Sequence, residues 1–356
     1  MILKINDRIR NRRVDKFNAF RVSQKFDAVG GTFSYSFYFE PNDNELKELL
    51  CIGHYHICTL EYNNQLVLTG NIISQNFSSQ SERSYVNLAG YSLAGVLEDS
   101  NIPQSVYPLQ SDGLTIKQIV TKLLQPFNIK FKVDSVVESR MNTVLSTTTA
   151  SESATVKGYI SSLCSQQNII LTNTEKGELL FTQIDVKKKP IFNFDTTKGL
   201  SQPATSFKLS FDGQQMHSHI TVMKQADIDG GNAGQHTIRN PYVINSVFRP
   251  KTIIQTSGTD VSTSKVARQA LANELKGLKL IIDVATWEAE GKLIRTGEFI
   301  TVVNPDIYLY KKSTWFIEGV DFSGDNKQNV ATLTCVLPEV YSQQVPEYLF
   351  KGINLH

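Results

Sequence analysis

The stretch NLAGYSLAGVLED, Asn87–Asp99, marks the point at which strand patterning gives way to helix patterning. Before it, residues 17–39 (FNAFRVSQKFDAVGGTFSYSFYF) largely alternate on either side of Gly30-Gly31, which predicts a β-hairpin. After a turn at residues 41–44, residues 54–88 contain three more candidate strands, separated by Asn63-Asn64 and by residues 78–82. Strands at this spacing are typical of a small antiparallel barrel or sandwich.

Beyond Asp99 the spacing of the apolar residues indicates two helices. The first has Thr115 as its cap, Pro126 as its stop and one apolar face formed by Ile116, Ile119, Val120, Leu123 and Leu124. The second has Ser153 as its expected cap and an apolar face formed by Val156, Tyr159, Ile160, Leu163 and Cys164. A strand follows each helix (NIKFKVD, then NIILTN), and a turn at residues 175–177 pairs the second strand with ELLFTQ. We therefore expect a small α/β module within a mostly β protein.

From Phe207 the pattern returns to strands: SFKLSF (206–211), HITVMKQ (219–225) and YVINSVF (242–248). A helix is predicted over residues 262–278, closed by Gly277, with an inner face of Ala267, Ala270, Leu271, Leu275 and Leu278. Further strands are expected at 280–286, 299–303, 314–321 and 331–337, and together they predict a second barrel. Trp287 and Trp315 are expected in its core or at an interface.

The sequence thus predicts a mainly β fold with an α/β insert: two tube-like β-barrel domains and one small α/β module. The first barrel is expected at residues 1–102, completed by about 186–225, with the inserted module at 103–185. The second barrel, with one helix, is expected at 226–345, and a C-terminal tail at 346–356.

Composition restricts the class of protein. The 356 residues are 40% hydrophobic and 20% charged, with a formal net charge of +2, so neither a disordered tail nor a nucleic-acid-binding arm is indicated. The N-terminus is charged from Lys4 onward, and no apolar run is long enough for a membrane span. Four cysteines in a chain of this length do not form a disulfide framework. We expect a protein made and folded in a cytosol.

Ser92 is the first candidate for chemistry, because Gly90-Tyr91-Ser92-Leu93-Ala94 approximates the strand–Ser–helix elbow of hydrolases. The elbow needs Gly on both sides of the nucleophile, and here the second position is Ala94. It also needs a parallel sheet, whereas the flanking strands are predicted to be antiparallel. The favoured interpretation is a glycine turn that ends a strand and begins a short helix.

The motif CIGHYHIC supplies four zinc-type ligands, Cys51, His54, His56 and Cys58, three of which would share one face of a strand. No second cluster completes a known zinc spacing, so an ordinary half-exposed strand is the favoured interpretation, and metal binding stays open.

Other charged residues carry weaker signals. Arg8, Arg10, Arg12 and Arg13 are basic enough to contact phosphates, but Asp7 and Asp15 flank them, which favours a strand edge or a salt bridge between subunits. Glu288 and Glu290 alternate with apolar residues, as on the outer face of a strand. No acid–base pair of a glycosidase can be identified.

Two terminal or loop segments are expected to become ordered only against partners. Residues 229–234 (DGGNAG) are too rich in glycine to hold one conformation and lack the Lys-Ser/Thr ending of a phosphate loop. The second segment is the C-terminal YLFKGINLH.

Four stretches, in chain order, carry a family resemblance. They are VNLAGYSLAGVLEDSNIP (86–103), the pair GLTIKQIVTKLLQPFNIKFKVD and ESATVKGYISSLCSQQNIILTNTEKGELLFTQ, the run from SVFRPKTIIQ to TVVNPD, and VDFSGDNKQNVATLTCVLPEVY (320–341). In this order they resemble the baseplate hub proteins of contractile phage tails, especially the Mu-type tail protein P and, more distantly, the late control protein D class. Leu293-Ile294-Arg295 departs from the family, in which an aromatic residue is common at this point.

The resemblance implies a homotrimer in which two barrels per subunit form a ring of six similar domains. Such a ring adapts a sixfold tail tube to a threefold central spike, with the α/β insert outside. The implied partners are the tail tube or distal tail protein, the spike and the tape measure protein, with DNA only as passing cargo. The implied location is the virion tail, assembled in the host cytoplasm. The resemblance implies no catalytic residue, no cofactor and no metal.

Alternatives from other classes stay open. The main one is an envelope carbohydrate-binding or hydrolytic tail protein, for which Tyr308, Tyr310 and Trp315 are the aromatic residues that lie close together in sequence. A Ser92 esterase and a zinc-stabilised fold are the others. Contractile tails, non-contractile tails and phage-derived injection machines are not distinguished.

Overall fold

The structure is a computed structural model that describes residues 1–6, 11–14, 16–107, 113–145, 154–199, 203–224, 234–243, 247–255, 262–325 and 329–350. Its contacts divide the chain into two compact units. The first contains Met1–Gln183, Thr286–Thr296 and Gly319–Ala331; the second contains Ile184–Ala285, Gly297–Glu318 and Thr332–His356.

The elements up to residue 183 are strands followed by the α/β module. The strands are β1 (Ile2–Asn6), β2 (Asn11–Val14), β3 (Ala19–Lys25), β4 (Thr32–Tyr38), β5 (Ile57–Tyr62), β6 (Gln65–Ser79), β7 (Ser84–Ser92), β8 (Phe131–Val133), β9 (Ile170–Asn173) and β10 (Leu179–Thr182). The helices are α1 (Asn44–Leu49), α2 (Val96–Asp99), α3 (Ile116–Leu124), α4 (Glu138–Met141) and α5 (Val156–Gln166).

The later elements are again mostly strands. They are β11 (Phe192–Asp195), β12 (Ala204–Phe211), β13 (His219–Lys224), β14 (Gln235–Arg239), β15 (Pro250–Gln255), β16 (Leu278–Val284), β17 (Glu288–Ala289), β18 (Lys292–Leu293), β19 (Phe299–Asn304), β20 (Leu309–Asp325) and β21 (Asn329–Val336). The helices are α6 (Thr263–Leu275) and α7 (Glu339–Ser342). The expected mainly β fold with a helical insert is confirmed.

The first unit is built on an antiparallel sheet in the order β20-β3-β4-β7-β6-β5-β1-β2. The expected hairpin around Gly30-Gly31 is present as β3 and β4. Asn63 and Asn64 form the β5–β6 turn with φ angles of 46° and 60°, which asparagine tolerates better than most residues. The inner face of the sheet is apolar, and Trp287 lies on it in edge-to-face contact with Phe20.

The α/β module has a three-stranded sheet in the order β8-β10-β9, with β10 parallel to β8 and antiparallel to β9. The two expected apolar helix faces are buried together with Leu171, Leu179 and Phe181 of the sheet. Thr115 caps α3 in a capping box with Gln118, as the sequence predicts. The predicted cap of α5 is wrong: Thr155 accepts the Gly158 N–H, and Ser153 lies outside the described residues.

The second unit contains a sheet in the order β12-β16-β21-β20-β19-β11 and a smaller one in the order β14-β13-β15. Helix α6 begins after its Ser262 cap and ends at Leu275, so Leu278 begins β16 instead of ending the helix. Its buried residues are Ala267, Leu271, Ala272, Glu274 and Leu275. The predicted inner face therefore missed a carboxylate, and it included Ala270, which is only half-buried.

Two predicted strands differ from the structure. The described residues of YVINSVF are not in a strand, because Asn240 Oδ1 accepts the Tyr242 N–H in a turn, and the strand is instead β15. The run at Glu288 is interrupted after two residues, because Glu290 and Gly291 form a tight turn with φ angles of 51° and 74°.

Several sequence-based expectations concern residues outside the described part of the chain. These are Arg8 and Arg10, the Arg12 side chain, residues 229–233 of the glycine-rich loop and residues 351–356 of the tail. Residues 346–350 of the tail are described: Tyr348 and Phe350 form an aromatic cluster with Tyr242, whose hydroxyl donates to the Glu347 carbonyl. Up to Phe350 the tail therefore packs against its own chain.

Candidate assembly surfaces

Ser92 is a buried scaffold residue at the end of β7. Its side chain is 0% exposed. Its N–H donates to the Gly31 carbonyl at 2.8 Å, and its Oγ accepts the Gly31 N–H at 3.1 Å. The chain then turns through Leu93–Gly95 into α2, packed so closely that a Cβ on Gly30 would lie 2.9 Å from the Gly95 Cα. The hydroxyl therefore ties the end of β7 to the start of β4.

The four zinc-type ligands do not converge. Strand β5 begins only at Ile57, so His54 and His56 lie in a loop in which Gly53 and Tyr55 have φ angles of 86° and 48°. Cys51 is exposed, whereas Cys58 is buried, and desolvation raises its pKa to about 12. Within the described ranges, no three His, Cys, Asp or Glu side chains are close enough together to hold a metal ion.

The same loop instead presents exposed apolar side chains. Ile52 is 76% exposed and Tyr55 is 61% exposed, and Ile57 and Ile73 beside them are also exposed. Large apolar groups clustered at a surface indicate a contact surface more often than a catalytic one. The sequence-based analysis missed this feature because the motif drew attention to its Cys and His residues.

The outer face of the first unit's sheet is built of small polar side chains. The register places Ser34, Ala89 and Ser74 in one row across β4, β7 and β6, and Ser36, Asn87 and Asn76 in the next. Their neighbours on the sheet include Thr32, Ser23 and Ser78. The charged members of the face include Arg21, which donates to Asp321 at 3.2 Å.

This polar face follows from strand alternation. Along β4, the buried residues Phe33, Tyr35 and Phe37 alternate with Thr32, Ser34 and Ser36. The pattern is visible in the sequence as TFSYSFY, but only the sheet shows that β3, β6 and β7 place similar residues on the same face. Hydroxyl and amide groups are therefore numerous on this face, which also carries Tyr38, Tyr85, Tyr91 and Lys25.

In the second unit, helix α6 covers one face of the sheet β14-β13-β15 through contacts with β13 and β14. Glu274, which is 5% exposed, anchors this packing: its carboxylate accepts the His217 N–H at 2.9 Å and lies 2.8 Å from His217 Nδ1 and 3.2 Å from Lys251 Nζ. The opposite face carries the exposed residues Met223 and Ile254, which are paired in register. Phe248, whose ring lies 6.0 Å from that of His219 in β13, is 78% exposed.

The aromatic residues proposed for a carbohydrate site do not form one platform. Trp315 is fully buried and donates its indole N–H to Ser313. Tyr308 and Tyr310 are exposed and lie edge to face with ring centroids 6.0 Å apart. No helix among the described residues has the length and apolarity to cross a membrane.

Comparison with known proteins supports the resemblance drawn from the sequence. Residues 94–183 match the model for the second domain of gp44-like baseplate hub proteins. This match begins within the turn after Ser92 and includes the whole three-stranded sheet of the module. No curated protein sequence matches the chain.

Solved structures extend the fold match to nearly the whole chain. The 43 kDa tail protein of prophage MuSo2 from Shewanella oneidensis is 18% identical, with a TM-score of 0.79 over 95% of this chain and 98% of that one. A tail protein from Neisseria meningitidis MC58 is 17% identical, with a TM-score of 0.76 over 97% and 98%.

A more distant match is the E. coli c3393 protein, a component of the type VI secretion system described as similar to the T4 tail proteins gp27 and gp5. It is 12% identical, with a TM-score of 0.55 over 98% of this chain and 79% of that one. These findings favour a baseplate hub over an envelope carbohydrate-binding or hydrolytic protein. Residues 94–183 thus match the second domain of the gp44-like baseplate hub family, and the chain as a whole has the fold of prophage tail proteins.

Proposed function

We propose that three copies of this chain form a closed ring at the hub of a phage-type tail baseplate. The observation that carries the proposal is the combination of a hub-family domain at residues 94–183 with a tail-protein fold over nearly the whole chain. In this proposal the ring adapts a sixfold tube to a threefold spike. Each copy contributes two barrel domains, with the module at residues 103–185 outside.

The proposed partners are the tail tube or distal tail protein above the ring, the spike below it and the tape measure protein. The protein binds and transmits force, with no catalytic role, and is assembled into virions in the host cytoplasm. The exposed apolar loop at Ile52 and Tyr55 and the exposed side chains of Phe248 and Ile254 support this proposal, because such surfaces are normally covered in an assembly.

The polar face of the first unit's sheet is proposed to line the passage for DNA. A duplex carries one negative charge per ~1.7 Å of its axis, so a fixed basic lining would retain it. The Ser, Thr and Asn side chains of this face carry no charge, Arg21 is paired with Asp321, and Lys25 lies at the edge of the face, at the end of β3. Such a lining has few fixed positive charges that would hold the DNA in place.

Light scattering with negative-stain imaging tests the ring. The expected result is a particle of three times the 39.9 kDa chain mass with a central hole. A protein that remains a compact monomer at the highest concentration reached, alone and with tail extract, would overturn the ring.

Cysteine accessibility tests the lining. In a Cys51→Ser background, Ser34→Cys on the polar face should react with a small maleimide but slowly with a bulky polymer maleimide once the ring has formed. Ser139→Cys, on the exposed side of the module, is the matched control and should react with both. Equal reaction of both positions with the bulky reagent would place the polar face outside the ring.

A further inference from the structure

A small cleft with both polar and apolar walls lies within the first unit, beside the outer face of the module's sheet. Its volume is about 180 Å³, and its walls come from Gln24–Phe26 at the end of β3, from Thr172–Glu175 and Leu180 on the β9–β10 hairpin, and from Arg295–Thr296. This volume is below the ~300 Å³ at which sites for drug-sized ligands begin, so it suits a single small group.

The module's sheet presents a polar residue to this cleft. In β9, Leu171 faces the apolar core with the helices, and the next residue, Thr172, lines the cleft although it is only 4% exposed. Thr296 adds a second hydroxyl group to the walls, whereas the Thr174 hydroxyl, also in the walls, is engaged by the side chain and the N–H of Glu178.

The charged side chains that line the cleft have a net positive charge. Arg295 is held in place because its Nη2 donates to the Leu66 carbonyl at 3.0 Å. Its Nη1 forms a long ion pair with Glu175 Oε2 at 3.7 Å, and Lys25 adds a second cation, so the cleft is lined by two basic side chains and one acidic side chain. The nearby Glu178 is already engaged by Lys132 at 2.6 Å.

We propose that this cleft binds one oxyanion, a carboxylate or a phosphate, between Arg295, Lys25 and the threonine hydroxyls. A guanidinium held in place recognises planar or tetrahedral oxyanions well, and hydroxyl groups complete the hydrogen bonds. In the assembled tail the source is an acidic side chain of a partner protein; this assignment of the source rests on the proposed function, whereas the site itself does not. The bound group would join the module's sheet to the end of β3.

Calorimetric titration at constant ionic strength tests the site. Inorganic phosphate and glutarate should each bind saturably at one site per chain, while chloride should not. Arg295→Gln and the exposed Lys25→Gln should each weaken binding by about tenfold or more, the effect of one lost charge-assisted hydrogen bond. Arg83→Gln, at an exposed arginine that contacts Tyr38, is the matched control and should bind as the wild type does.

Circular dichroism establishes whether each variant is folded. If Arg295→Gln does not fold, Lys25→Gln still tests the site, because Lys25 is exposed. Binding that is absent in the wild type, or equal in all variants, would overturn the site. A blocked Gly-Glu-Gly peptide that competes with phosphate, when Gly-Gln-Gly does not, would support the partner side chain; failure of the Glu peptide would overturn that source. Loss of the ring with retained phosphate binding would reject the proposed function and leave the site standing.

Discussion

Replacing Ser92 by alanine tests the role of the turn at which the strand pattern ends. The Ser92 hydroxyl is fully buried, and its Oγ accepts the Gly31 N–H at 3.1 Å. Alanine fits the same space but removes the acceptor, while the reciprocal bond from the residue-92 N–H to the Gly31 carbonyl is retained. The expected effect is therefore local loosening between the end of β7 and the start of β4, without loss of the fold.

The expected loss of local stability follows from the Gly31 N–H, which the substitution leaves without an acceptor. A buried N–H left without a partner costs about 1–3 kcal/mol, which corresponds to roughly a five- to 150-fold change in an equilibrium constant. The void left by one oxygen atom adds little. Ser34→Ala, at an exposed hydroxyl on the same sheet, is the control and should change stability by less than about 0.5 kcal/mol.

Hydrogen exchange measured by mass spectrometry is the suitable assay, because two compact units make a single global unfolding transition an unsafe measure. Peptides covering residues 27–33 and 90–95 should exchange faster in Ser92→Ala by the factor given above, and the module peptides should not. Unchanged exchange in these peptides would refute the scaffold role. Labelling of Ser92 in the folded wild type by a serine-reactive phosphonate would refute it as well.

Three further predictions concern other elements. Leu271→Asp should unfold the region around α6, because Leu271 is 1% exposed and a buried unpaired charge is costly. Arg268→Asp, on the exposed side of the helix, is the control and should be tolerated. A soluble Leu271→Asp protein with an unchanged melting temperature would contradict the packing of α6. Thr115→Ala should destabilise the module by about 0.5–2 kcal/mol by removing the cap of α3, measured by hydrogen exchange of peptides from residues 116–124. Unchanged exchange would show that the capping box does not stabilise the module. One thiol per folded chain, Cys51, should react quickly with a thiol reagent at neutral pH, because burial raises the pKa of the other three, Cys58, Cys164 and Cys335; fast reaction of more than one thiol would contradict this.

The elements that the sequence predicts well are those whose conformation depends on residues close to them in the chain. The apolar face and Thr115 cap of α3 lie within one helix, and the Asn63-Asn64 turn depends on the left-handed conformations of its own residues. The errors are also local and small. Ser153 and Thr155 are both suitable caps two residues apart, and sequence alone does not decide between them.

Distant contacts decide what local patterns cannot. CIGHYHIC alternates like a strand, yet pairing of β5 begins only at Ile57, and the positive φ angle of Tyr55 turns the preceding residues away from a shared face. Glu274 looks like an exposed helix residue until His217 and Lys251 are brought to it from other elements.

The sequence by itself determined the class of the fold, the existence of the α/β module and the resemblance to tail hub proteins, because these depend on periodicity, caps and the order of motifs along the chain. Only the tertiary structure decided that Ser92 is a buried hydrogen-bond acceptor, that serines from separate strands form one polar face, and that Arg295 meets Lys25 and Thr172 in one cleft. Those groups are far apart in sequence. Their proximity follows from strand register and from burial, which depend on the whole packed unit.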